Sequence, residues 1–350
     1  MGGPAVSVCI LTRGPSRHLD ACLQSLAVQE GDVAFEVLVC SNGGPEVVES
    51  VRRLLPSADV CRLERAPLGA ARNTLIERAR GEWLFFLDDD VTVPRDTMMR
   101  LHAIAAAHPD AAVLGGPNGT PAGSSFFQLV QGAVLASLVG SGPVRRRYGP
   151  HPARAADERF FTLCNLAVRR AEMLPFPTEL TGGEENAVLE AMSRRGLPMH
   201  YDPEFVAFHE RRPHLKGYAR QMYKYGDGRG QLTRRRPASF RAAYGVPAAV
   251  IAALVVTLPL ALRSPLALVP LVAYLAAVTA EATKVGWSFR SVRAGFVAAG
   301  LIMVQHALYG VGFLVGLLRR PRHPHRPSSP SWAARVDAHT DDALATADRP

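Results

Sequence analysis

The chain has 350 residues, room for roughly two domains of ordinary size, and carries 40 Lys+Arg against 31 Asp+Glu for a net charge of +9. Its mean hydropathy of +0.05 averages a polar part with a strongly apolar one, which excludes a chain disordered throughout. Only Lys216, Lys224 and Lys284 are lysines, so the positive charge follows an arginine-biased composition rather than a phosphate-binding surface, and no nucleic-acid partner is expected.

From the amino terminus, Ala5 to Thr12 reads as a first strand rather than a basic region followed by an apolar leader, which predicts a cytoplasmic front part. Leu19, Cys22, Leu23 and Leu26 mark one face of a helix, Phe35 to Ser41 a second strand, and Val47, Val51, Leu54 and Leu55 a second helix. A short strand near Asp59 to Leu63, a helix from about Gly69 to Arg80 and the strand Glu82 to Leu87 complete a βαβα pattern that ends in Asp88-Asp89-Asp90. Beyond Pro94 the pattern is less regular, with a helix near Asp96 to His108 and an apolar helix around Phe126 to Val139. Gly245 to Leu262, Ser264 to Ala280 and Ala294 to Leu318 are free of charge; at 1.5 Å per residue the first would span about 27 Å, close to a hydrocarbon core. The Pro- and Ser-rich stretch after Pro321 cannot support a core. Cys9, Cys22, Cys40, Cys61 and Cys164 show neither paired nor metal-ligand spacing and read as reduced, mostly buried thiols.

Ligands of open α/β sheets bind outside the carboxyl ends of strands, where Asp88 to Asp90 fall. Three adjacent carboxylates repel one another unless a cation offsets them, and a divalent ion bridging to phosphate oxygens would do so. The alternative is a solvated acidic turn. No G-x-G-x-x-G, P-loop or G-x-S-x-G occurs, which removes the main support for dehydrogenase, NTPase and serine-hydrolase chemistry. Arg72, in Leu68-Gly-Ala-Ala-Arg-Asn, brings a guanidinium close to a helix start. Glu184 and Glu185 follow Gly182-Gly183 before a helical pattern; they suit either dipole capping or a general base.

In this order the constellations resemble family 2 glycosyltransferases with the GT-A fold, over about Val6 to Tyr225. Val6-Ser-Val-Cys-Ile-Leu-Thr is similar to the family's opening strand, Leu68 to Asn73 to its G-x-x-x-A-R-N-like helix, Phe85 to Val91 to the strand ending in the DXD motif, and Gly183-Glu-Glu to G-E-D. The resemblance implies that Thr12, Arg13, Ser41, Asn42, Arg72, Asp88 and Asp89 line the nucleotide-sugar site. By the same resemblance Asp90, with Asp88 and His209, holds Mg²⁺ or Mn²⁺, and Glu185, beside Glu184, is the base. Gln221, Lys224 and Tyr225 resemble a softened Q-x-x-R-W motif of the acceptor or diphosphate region; Lys is not equivalent to Arg at a bidentate site, so processivity is not implied. Ser41 stands where the family usually has a base-contacting aspartate, so no nucleobase is assigned.

The expected architecture is an α/β GT-A domain with a Rossmann-like mixed sheet over 1–240, a membrane region over 244–318 holding the three apolar segments, and a disordered tail over 321–350. The expected activity is a metal-dependent, inverting transfer from a nucleotide-diphosphate sugar to a hydroxyl of a lipid-linked or other membrane-presented saccharide. Rival readings are a polyprenyl-phosphate glycosyl synthase and an inactive GT-A membrane scaffold. The basic stretch from Arg211 to Arg241 suits the cytoplasmic side of a multi-pass cell-membrane protein. Arg319, Arg320, Arg322 and Arg326 then favour an even number of crossings, with one apolar segment re-entrant or interfacial, over the alternative of three full crossings, and homo-oligomerisation would help to cover such a segment.

Overall fold

The computed structural model describes residues 3–180 and 183–319, apart from the side chain of Leu258. The expected tail, 321–350, and Thr181 and Gly182 lie outside the described residues. In chain order the elements are β1 (Val6–Thr12), α1 (Arg17–Ala27), β2 (Phe35–Ser41), α2 (Glu46–Leu54), β3 (Asp59–Arg62), α3 (Leu68–Arg78), β4 (Trp83–Asp88), β5 (Val91–Thr92), α4 (Thr97–Ala107), β6 (Val113–Gly115) and β7 (Asn118–Gly119). Then follow α5 (Phe126–Leu135), α6 (Leu138–Ser141), β8 (Arg154–Ala155), β9 (Leu166–Arg169), α7 (Glu184–Arg194), β10 (Met199–Tyr201), β11 (Ala207–His209), α8 (Leu215–Arg235), α9 (Ala242–Ala261), α10 (Val269–Ser288) and α11 (Val292–Leu318).

The described chain forms two compact units, 3–119 with 149–210, and 120–148 with 211–319. This division departs from the expected 1–240 domain, because the apolar stretch around Phe126 and the basic helix α8 pack with the apolar helices of the second unit.

In the first unit an eight-stranded mixed sheet runs in the order β3-β2-β1-β4-β9-β6-β10-β8. Strand side chains alternate between faces: Val8, Ile10, Val39, Phe85 and Leu87 pack into one apolar cluster, and Cys9, Leu38, Cys40, Leu84 and Phe86 into the other. Burial on both faces is why the first and fourth strands read as continuous apolar runs rather than an alternation. Helix α1 starts where the Ser16 hydroxyl accepts from the Leu19 amide, and it buries Leu19, Cys22, Leu23 and Leu26. The parallel pairing aligns Thr12 with Ser41 and Leu11 with Asp88, so three strands end on one edge with β1 between β2 and β4. Here the strand order reverses, as at the ligand crevice of doubly wound sheets. A small second sheet, β5-β11-β7, sets His209 opposite Val91, one residue after the acidic run.

In the second unit α9 runs unbroken for 20 residues and α11 for 27, and α10 with its preceding 3₁₀ turn covers 24; all three are long and apolar enough to cross a membrane. Helix α10 continues past the charge-free run to Ser288 because Glu281 is buried and its Oε2 accepts from the Val139 amide, 3.2 Å away. The broken apolar element lies elsewhere: the stretch around Phe126 bends by 68° between Leu135 and Leu138. Helices α8 and α11 approach through glycines, and a Cβ on Gly312 would stand 2.2 Å from the Tyr223 carbonyl oxygen. Just past the end of α11, Arg319 Nη1 lies 3.1 Å from Oδ2 of Asp227, within α8.

Candidate active site

Strand β4 carries four consecutive buried apolar residues, Leu84 to Leu87, to the sheet edge and delivers Asp88 there. Asp89 is tied back to the first strand, the Thr12 hydroxyl donating to its Oδ2 over 2.6 Å. Burial pushes the Asp89 carboxyl up to about 6 against the pull of that bond, and the neighbouring Asp90 and Asp88 charges add to the rise. Asp90 turns the other way: its Oδ1 is 3.1 Å from His209 Nε2. The Glu210 amide donates to the Asp90 carbonyl over 2.9 Å, so the small sheet fixes this pair through the backbone. The resemblance placed His209 with the metal, and the structure brings it to Asp90.

Cys164 enters from a 3₁₀ turn, Leu163–Asn165, that no motif announces. Its Sγ is 3.2 Å from Asp88 Oδ2 and 3.4 Å from His209 Nδ1. Burial pushes the thiol well above its ordinary range, and the Asp88 charge adds to this, so Cys164 stays protonated and donates. It thereby joins the two carboxylates that flank Asp89 into one hydrogen-bonded set. Sequence reasoning missed this residue.

On the opposite side stands Arg72, on the second turn of α3. Its Nη1 pairs with Glu184 Oε1, its Nη2 is 3.8 Å from Asp88 Oδ1, and its guanidinium lies over the Phe176 ring at 5.6 Å. Although burial opposes its charge, the neighbouring carboxylates, Glu184 foremost, hold the guanidinium above its usual range. Gly183, at φ 78°, turns the chain through the left-handed region so that Glu184 and Glu185 open α7. The two carboxylates then differ. Glu184 is 2 % exposed and held by Arg72, with its Oε2 lacking a hydrogen-bond partner among the described residues. Glu185 is half-buried and accepts from Asn186 Nδ2 over 3.1 Å. Removing one partner of a buried pair strands the other, so Arg72→Ala is expected to cost about 3–5 kcal/mol of stability. A lowered urea midpoint with an unchanged slope would register it; an unaltered midpoint would show that the pair contributes nothing.

The remaining expected residues are placed as follows. Ser41 is buried, its hydroxyl donating to the Gly44 carbonyl over 3.2 Å. Asn42 clamps the loop after β3, exchanging hydrogen bonds of 2.7 and 2.8 Å with the Ala66 backbone. Arg13 is exposed beside them. Gln221, Lys224 and Tyr225 stand on α8 in the second unit, where Gln221 Nε2 donates to the Tyr225 hydroxyl over 3.0 Å.

Among the described residues no group of three or more His, Cys, Asp or Glu side chains forms a metal cage. Mg²⁺ and Mn²⁺ do not need one, since they take one or two carboxylates and complete their shell with phosphate oxygens and water. Asp88, with 36 % of its side chain exposed, and Asp90 are hard oxygen donors of the kind these ions take, so the residues present fit such an ion.

A mixed sheet with acidic residues at its topological switch point agrees with the expected GT-A fold. Residues 7–170 match the model of glycosyl transferase family 2. Among curated proteins it is 29 % identical over 117 residues to EpsH of Bacillus subtilis (strain 168), described as a glycosyltransferase, covering 32 % of this chain and 34 % of that one. It is 26 % identical over 203 residues to the succinoglycan biosynthesis protein ExoM of Rhizobium meliloti (strain 1021), covering 51 % and 57 %. The chain therefore spans between a third and three fifths of the length of these relatives. The mannosyltransferase PcManGT from Pyrobaculum calidifontis, solved with GDP-Man and Mn²⁺, shares the fold with a TM-score of 0.57 and 18 % identity over 90 % of this chain and 87 % of that one.

Proposed function

We propose that the protein is a membrane-anchored, divalent-metal-dependent, inverting glycosyltransferase that moves a sugar from a nucleotide-diphosphate donor to a hydroxyl of a lipid-linked saccharide. The observation that carries the reading is the strand-end pair Asp88 and Asp90, bracketed by His209 and Arg72, in a family 2 domain. Asp90 and Asp88, with His209 beside them, would hold Mg²⁺ or Mn²⁺, which when bound offsets charge on the donor's diphosphate. Arg72 adds a fixed cation on the other side of Asp88, and Glu184 keeps that cation in place.

Glu185 takes the proton of the acceptor hydroxyl as its oxygen bonds to the anomeric carbon. The bond from that carbon to the diphosphate oxygen breaks on the opposite face, and the electron pair leaves with the nucleoside diphosphate. One carboxylate and one displacement invert the anomeric centre. The part of ExoM in succinoglycan biosynthesis supports a saccharide acceptor, and the three apolar helices support presentation at a membrane. Product linkage tests this: an anomeric configuration opposite to the donor's, on a lipid-extractable saccharide, is the expected NMR result. Full turnover by Glu185→Gln would favour a lipid-phosphate acceptor, which needs no base.

Arg319 pairs with Asp227 of α8, a helix whose Lys216, Arg220 and Lys224 mark it as aqueous or interfacial. This supports a carboxyl end on the same side as the catalytic unit, which requires that one of α9, α10 and α11 lies in the membrane without crossing it. A fluorescent reporter fused after Pro350 should be active in the cytoplasm, and a phosphatase fused there silent; the reverse pattern would mean an odd number of crossings.

A further inference from the structure

The apolar stretch 126–147 belongs to the membrane-facing unit, yet it is inserted between strands of the catalytic sheet. By length and composition its two arms, Phe126–Leu135 and Leu138–Arg147, pass together as one bent span. The sheet forbids a crossing. β6, before the insertion, pairs along its length with β9 and β10, after it, and β8 pairs with β10 in the same ladder. The chain therefore leaves and re-enters on one side of any bilayer. The first arm, at 1.5 Å per residue, is about 15 Å long, half a hydrocarbon core, and the second is one α-helical turn continued by a 3₁₀ helix over Gly142–Arg147.

The break itself is built for an apolar setting. A bent helix frees backbone groups that lipid cannot satisfy, and such backbone is tolerated only where protein supplies partners. Here the partners are polar side chains on two apolar neighbours, α10 and α11. Glu281 of α10 accepts from the Val139 amide at 3.2 Å. His306 Nε2 of α11 donates to the Val139 carbonyl at 2.9 Å, while its Nδ1 faces the Tyr274 hydroxyl at 3.2 Å. Gln305 Nε2 donates to the Gly140 carbonyl at 2.6 Å, and its Oε1 accepts from Tyr218 at 2.5 Å. Beside this seat, Leu138 is 59 % exposed. An exposed leucine next to a break whose backbone is satisfied from within fits a surface bathed in lipid chains. Arg145 and Arg146 close the second arm, and arginines of this kind favour headgroup over acyl depth.

We infer that residues 126–147 form a re-entrant element, seated on Glu281, Gln305 and His306, that embeds Leu138 in the leaflet facing the catalytic unit and adds no crossing. The inference rests on the membrane anchoring proposed above, and the test separates the two. A benzoylphenylalanine is placed in the full chain at Leu138, at Val255 of α9, and at Val28 of the first unit; all three side chains are exposed. The protein is reconstituted in vesicles of phosphatidylethanolamine and phosphatidylglycerol, irradiated, and examined by mass spectrometry. Lipid adducts at positions 138 and 255 but not 28 are expected. An adduct at 255 with none at 138 would overturn the inference and leave the anchoring intact; none at either would remove both. Acceptor peptides for biotin ligase, inserted after Gly123 and after Pro150 in separate chains, should both be modified by ligase made in the cytoplasm. Modification of only one would mean a crossing and overturn the re-entrant assignment.

Discussion

Glu185→Gln is expected to slow sugar transfer by about 10²–10⁴ while leaving donor binding and folding intact, because the amide keeps the shape of the side chain and loses only its ability to take a proton. The neighbouring Glu184→Gln is expected to behave differently. Its carboxylate is buried on Arg72, so loss of the charge weakens the anchor of a buried guanidinium and should lower the unfolding midpoint. The two variants, compared for both rate and stability, separate a base from a positioning residue. If Glu184→Gln abolishes turnover at unchanged stability and Glu185→Gln does not, the base is Glu184.

Asp90→Ala should have the larger effect. It removes the carboxylate that His209 and the backbone of the small sheet hold at the strand end. The loss of a metal ligand is worth several kcal/mol of transition-state charge stabilisation, so activity should fall below detection at ordinary Mg²⁺ or Mn²⁺ concentrations. Wild-type activity should likewise vanish in excess EDTA and return on adding Mn²⁺. Full turnover in EDTA would contradict the role given to Asp88 and Asp90.

Much of the catalytic unit was legible because its signals are local. Buried parallel strands must be apolar throughout, and a charge directly after such a strand marks its carboxyl end, so Trp83 to Asp90 announced both the strand and the acidic run at its end. Pairings across sequence were not legible. Cys164 reaches Asp88 and His209 only because β9 runs antiparallel beside β4, and its 3₁₀ turn carries no recurring pattern. The different fates of Glu184 and Glu185 also arise in three dimensions: adjacent positions on a helix point about 100° apart, so Glu184 is buried on Arg72 while Glu185 is half-buried beside Asn186. In the second unit the charge-free runs located the helices, but charge alone set their ends wrongly. Glu281 lies within α10 because it has a partner in Val139, 142 residues away. The break near Ser137 escaped notice since no Pro or Gly pair marks it; Ser137 instead caps a new helix, its hydroxyl accepting from the Gly140 amide at 3.0 Å.

The most direct test of the central claim is release of nucleoside diphosphate from a panel of nucleotide sugars by membranes containing the protein, with Mn²⁺ and extracted lipid acceptors. The account predicts that at least one donor yields its nucleoside diphosphate together with sugar transferred to the lipid fraction, and that Asp90→Ala membranes yield neither. Transfer that proceeds equally with Asp90→Ala, or no binding or turnover of any donor by the folded wild-type protein, would contradict it.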